Sequence, residues 1–201
     1  MVLYAMAQSS PVPQQGEGFL EGKLLIAMPS MADPRFEKSV IFMCAHSSDS
    51  AMGLIINKPI AGLSFHDLMA KFEIEVVPGS VEAPILYGGP VQMGRGFVLH
   101  TSDYTSPENT LSLTEKFSLT ATVDVLRAIA QGHGPKKSIL ALGYAGWGVG
   151  QIESEIMANG WIHCDADEKL VFDTDYDAKW TTALAKLGAD ISGLSAEAGR
   201  A

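Results

Sequence analysis

The sequence predicts an α+β protein: one compact single domain built on a mixed sheet or partial β-barrel and flanked by three to four helices. Three observations lead there. Short apolar runs of strand length outnumber the segments with helical spacing. Most connections between those runs are too short for the helical crossovers of a doubly wound parallel sheet. No internal repeat and no linker-like stretch interrupts the chain after residue 20. A length of 201 residues fits one domain, and 47% hydrophobic residues supply an ordinary core.

The expected division is a leader over residues 1–19, a folded domain over 20–190 and a tail over 191–201. Residues 9–18, SSPVPQQGEG, are turn-rich and hold nothing to bury. Residues 2–7 are apolar, but no basic segment precedes them and they are too short for a secretory signal. No stretch approaches the roughly 20 apolar residues of a membrane span.

Within the domain, residues 23–28 form an apolar run stopped by Pro29, and the loop SMADPRFEK follows. Residues 40–45 and 54–57 read as two strands joined by an antiparallel return. Ser64 is placed to cap a helix running to Lys71, with Asp67 three positions on. Residues 85–87 and 96–101 are further strands, and 109–120 reads as a hairpin. Thr122 is placed to cap a helix ending near Gln131. Residues 161–164 and 170–172 read as short strands, and 178–187 as a helix capped by Asp177.

The organising stretch is LALGYAGWGVGQIESEIMANGW, residues 140–161. It reads as a strand from residue 139 to 142, a glycine-rich loop, and a helix from Gln151 stopped at Asn159-Gly160. Gly143, Gly146, Gly148 and Gly150 spell GxxGxGxG, which is neither a dinucleotide fingerprint nor a P-loop. Such a loop lets a backbone approach closely, and the amides of a helix's first turn favour an anion. The competing reading is tight packing around Trp147.

Taken together, these segments make the chain resemble the YqgE/AlgH family. The resemblance rests on the loop SMADPRFEK and on GLIINKP, YGGPV, FVLH and GYAGWGVGQIE, and spans residues 22–187. It implies a compact single-domain α+β fold and a bacterial, cytoplasmic protein. It implies no established reaction, although some members carry the label of transcriptional regulator. The leader before Gly16 departs from the family core.

Composition narrows the partners. The net charge is −9, and Lys136-Lys137 is the only adjacent basic pair, which argues against direct binding to nucleic acid. The two cysteines form no CxxC and fit a reduced compartment. The segment 153–177 holds eight acidic residues against Lys169 alone, and so offers itself to a basic protein partner or simply to solvent.

The expected function is ligand binding or regulation in a cleft near the glycine loop, with a small anion as the ligand. The candidate residues are Ser30, Asp33, Arg35, Asn57, Gly88, Gly89, Gly146, Trp147, Gly148 and Gln151. The alternative is a thiol enzyme. Strand alternation puts Cys44 and His46 on one face, a nucleophile beside a base in outline. Cys44, His46, His100, His163 and Cys164 lack zinc-type spacing, so no metal and no cofactor is expected. The run Asp173 to Asp177 starts like a calcium loop but has Ala178 where glycine is required.

Overall fold

The structure, a computed structural model, describes residues 19–80 and 82–188. The leader and the tail lie outside those residues, apart from Phe19. The domain is α+β, and its sheet curls into a half-barrel. The strands are β1 (Lys23–Ala27), β2 (Val40–His46), β3 (Ala51–Ile55), β4 (Ile85–Tyr87), β5 (Val91–Thr101), β6 (Thr110–Ser112), β7 (Phe117–Thr120), β8 (Ser138–Trp147) and β9 (Trp161–Asp165). The order across the sheet is β6-β7-β5-β8-β3-β2-β1-β9, with β4 added beside β8. All pairings are antiparallel except β4 with β8, so the sheet is mixed.

β8 is the spine. One edge pairs with β5; the other pairs first with β4 and then with β3. Both faces of the sheet are covered, and the strands therefore read as continuous apolar runs rather than alternating ones. β1 shows this directly. Leu24 and Ile26 join a core with Phe42, Leu54 and Trp180, whereas Leu25 and Ala27 join another with Ile41, Trp147 and Trp161.

Among the described residues four α-helices close the faces: α1 (Phe65–Lys71), α2 (Val123–Ala130), α3 (Gln151–Met157) and α4 (Tyr176–Lys186). α1 opens with the capping box expected of Ser64 and Asp67. It packs with α2 over Ile85, Val98 and Leu140. Thr122 precedes α2 but makes no side-chain cap. The turn that stops α3 passes through Asn159, which takes the left-handed conformation at φ 57°.

Three local readings are corrected. The segment read as a strand over 170–172 is a π-helical turn, Lys169–Asp173, anchored by Asp167 accepting from the Leu170 amide. α4 starts earlier than its apolar spacing indicated, because Asp175 rather than Asp177 caps it. The strand read as ending at residue 142 continues to Trp147 and absorbs two of the four glycines.

The turn before α4 also buries a lysine. Lys179 is fully buried; its ammonium donates to the Val171 carbonyl and lies 5.5 Å from the Tyr176 ring. Burial pulls its pKa down to about 8, and Asp173 and Asp175 oppose the shift only partly. The folded pKa lies below the unfolded one, so the charged form costs stability at neutral pH, and the cost fades as pH rises toward 10.5. Urea melts of wild type, compared with Lys179→Met, are expected to show a relative gain of about 2 kcal/mol between about pH 7 and 9.5. Parallel pH profiles for the two proteins would contradict this.

Candidate functional site

Because β8 extends to Trp147, only residues 148–150 form the turn into α3, which begins after Gly150 at φ 64°. The Gly148 amide donates to the Gln151 side chain at 3.1 Å. Glu153 sits in the first turn. Both features work against an anion at this short helix's start.

A cleft of about 460 Å³ forms between the loop after β1, the end of β8 and α3. Six sequence-selected residues line it: Ser30, Asp33, Arg35, Gly146, Trp147 and Gln151. Phe36, Trp147 and Trp161 supply aromatic walls. Phe36 and Trp161 meet edge to face at 5.6 Å, and Trp147 and Trp161 do so at 6.1 Å. Trp147 is 5% exposed and Trp161 3%.

The residue that organises these walls is Glu155, which the sequence reading missed. Its Oε2 accepts from both indoles, Trp147 Nε1 at 3.0 Å and Trp161 Nε1 at 2.8 Å. Its Oε1 accepts from the Gln151 amide at 2.8 Å. A carboxylate with three donors holds both rings in fixed orientation. The signal was present: Gln151 and Glu155 stand four apart on a helix, hence on one face. Across the cleft, Arg35 grips Asp33 with Nε and Nη2, the latter at 2.6 Å. The guanidinium holds the Asp33 carboxyl below its ordinary range. Ser30 donates to the Asn159 carbonyl at 3.3 Å, tying the loop to the end of α3.

The other four candidates lie elsewhere or have structural work. Asn57 accepts from the Val40 amide at 2.9 Å and donates to the Lys38 carbonyl at 2.8 Å, and it lines a separate hollow with Lys58 and Tyr176. Gly88 and Gly89 press against the β8 backbone at Gly143 and Tyr144. Gly148 faces open space and lines a larger neighbouring groove.

The thiol pairing fails on geometry. A β-bulge between Met43 and Ala45 breaks the alternation that would have put Cys44 and His46 on one face. Cys44 joins the core beside Phe42, while His46 faces α3. The Leu20 amide donates to His46 Nδ1 at 3.0 Å, which makes Nε2 the donor to Glu153 at 2.9 Å. Cys44 is 1% exposed, and burial pushes its thiol far up. Alkylation of native protein by iodoacetamide between about pH 7 and 9 is therefore expected to leave Cys44 unmodified until urea is added. Rapid native labelling would revive the nucleophile.

His163 is exposed and Cys164 buried, on opposite sides of β9. His100 is buried between the Thr101 carbonyl and the Thr120 hydroxyl. Among the described residues, no group of three His, Cys, Asp or Glu could hold a metal. The acidic segment is largely engaged within the chain. Asp165 pairs with Lys23, Asp167 with Lys186 and Asp173 with Lys137. Glu153, Glu155 and Asp175 have the partners already named. Among the described residues no helix is long and apolar enough to cross a membrane.

The comparisons agree with this architecture. A model of the AlgH-like family matches residues 24–192. A UPF0301 protein of Rhodopseudomonas palustris is 53% identical over 195 residues, covering 94% of this chain and 89% of its own. A UPF0301 protein of Caulobacter vibrioides is 51% identical over 187 residues, covering 91% and 94%. The solution structure of the AlgH protein from Pseudomonas aeruginosa superposes with a TM-score of 0.72 at 41% identity, covering 94% of this chain and all of that one. A crystal structure from Corynebacterium diphtheriae shares the fold, with a TM-score of 0.67 at 19% identity and 96% of each chain covered. The chain belongs to the AlgH-like family.

Proposed function

We propose that the chain is a small-molecule-binding protein with a regulatory rather than catalytic role, and that its ligand occupies the cleft between Arg35 and Glu155. The observation that carries this is the convergence of aromatic walls and pre-positioned polar groups on one hollow of about 460 Å³. That size and lining suit a small organic ligand. The lining sets Arg35 against Asp33 and Glu155, so net charge does not draw an anion in. Ring contact with Phe36 and the tryptophans supplies the attraction. Arg35 Nη1 has no partner among the described residues and is available to an acidic substituent. A cytoplasmic setting goes with this reading, supported by two buried, unpaired cysteines.

The test is a thermal-shift panel of planar heteroaromatic compounds, each with and without a carboxylate. A ligand at about 100 times its Kd is expected to stabilise the fold by about 2.7 kcal/mol. Arg35→Gln is expected to remove the preference for the acid and keep the response to the ring. No stabilisation by any compound in the panel would count against the proposal.

A further inference from the structure

We propose that the groove of about 700 Å³ on the other side of Val91, Gly146 and Trp147 is a second binding site, specific for an amphipathic carboxylate whose acid group meets Arg95 and whose hydrocarbon chain lies along Met52, Phe97 and Leu119. This goes beyond the first cleft and rests on different residues. The groove's walls are chiefly apolar, and Leu111 at its lining remains exposed despite its size. Its one basic lining residue is Arg95, carried by the bulged start of β5, where pairing with β8 is interrupted between Val91 and Gly96.

Arg95 stands apart from the other described arginines. Arg35 pairs with Asp33, and Arg127 pairs with Asp124. Among the described residues Arg95 has no carboxylate partner, although the chain holds 23 acidic residues against 14 Lys and Arg. Its guanidinium sits 5.2 Å from the centre of the Phe97 ring, and its Nη1 donates to the Gln92 side chain at 3.0 Å. Its Nε is buried and has no hydrogen-bond partner among the described residues. A guanidinium carries five N–H donors in a fixed fork that matches a carboxylate. A fork with one donor engaged, stacked at an apolar groove, therefore wants an anionic head on an apolar body. Glu21 also lines the groove, but among the described residues no ion pair joins it to Arg95. The acid and the arginine thus mark different parts of the groove.

The experiment compares decanoate, decan-1-ol and decyltrimethylammonium, all below their micellar concentrations, by calorimetric titration of the full chain. Decanoate is expected to bind roughly tenfold or more tighter than decanol, the effect of one charged hydrogen-bonded head group, and the cation weakest. Arg95→Met is expected to erase the difference between decanoate and decanol, and Arg95→Lys to keep part of it. Met52→Trp, which fills the groove, is expected to weaken both ligands. The Trp161 indole, which lines only the first cleft, is expected to stay unmoved on adding decanoate. Equal affinity for decanoate and decanol, no binding of either, or unchanged decanoate binding by Arg95→Met overturns the proposal. So does a shift confined to Trp161, which would put the ligand in the other cleft.

Discussion

Gly89→Ala is expected to prevent stable folding. Gly89 has φ 151°, and a Cβ built on it would stand 2.1 Å from the carbonyl carbon of Tyr144. The obstacle is backbone, in the central strand of the sheet, and it cannot rotate aside. β4 ends here against β8, and the Gly88 carbonyl accepts from the Ile55 amide while the Gly88 amide donates to Leu142. Moving Gly89 out would therefore break the join of β3, β4 and β8. We expect a loss of at least about 4 kcal/mol, in the exceptional range that a collision with buried backbone can reach. Gly148→Ala is the control: its Cβ meets nothing within 4 Å, so its urea melt is expected to fall within about 0.5 kcal/mol of wild type. Similar melts for the two variants would mean that the tight approach of β4 to β8 is not what the glycines serve.

Trp147→Ala is expected to cost about 3–5 kcal/mol, the usual toll of removing a large buried ring. The ring sits in the core with Ile41, Ile152 and Trp161, and forms a wall shared by both hollows. Its loss also removes one donor from Glu155. Trp147→Phe separates the two contributions: it keeps most of the ring and loses the indole N–H, for an expected cost of about 1–3 kcal/mol. Urea melts of both variants decide this. A Trp147→Ala protein as stable as wild type would make the ring a surface element.

The elements that could be read from sequence were those whose signals are local. The Ser64–Asp67 box, the hairpin of β6 and β7, and the stop at Asn159 depend on neighbours within a few positions. The missed features depend on distant partners. β8 runs through Gly143 and Gly146 because β3 and β5 supply ladder partners that no local propensity shows. The Cys44–His46 alternation fails because of a bulge that exists only when β2 pairs with β3. The site divides the same way. The loop residues Ser30, Asp33 and Arg35 and the segment around Trp147 were recognisable as polar or glycine-rich interruptions, and the fold brings them to one cleft. Glu155 and Trp161 were not selected, because inside an amphipathic helix and a short strand they look like solvent and core. Arg95 carries no local signal in the sequence, and the fold alone sets it in one groove with Phe97 and Leu119.

The most direct test of a ligand cleft organised by Glu155 uses the three tryptophans of the chain. Trp147 and Trp161 donate their indole N–H to Glu155, whereas Trp180 donates to the Ala27 carbonyl at 2.8 Å and does not line the cleft. Proton–nitrogen correlation spectra should therefore show three indole signals that report on two places. On titration with a stabilising heteroaromatic acid, the Trp147 and Trp161 signals are expected to shift saturably with Trp180 unmoved, and the concerted shift to be lost in Glu155→Gln. Movement of Trp180 alone, or stabilisation with all three signals at rest, would contradict this.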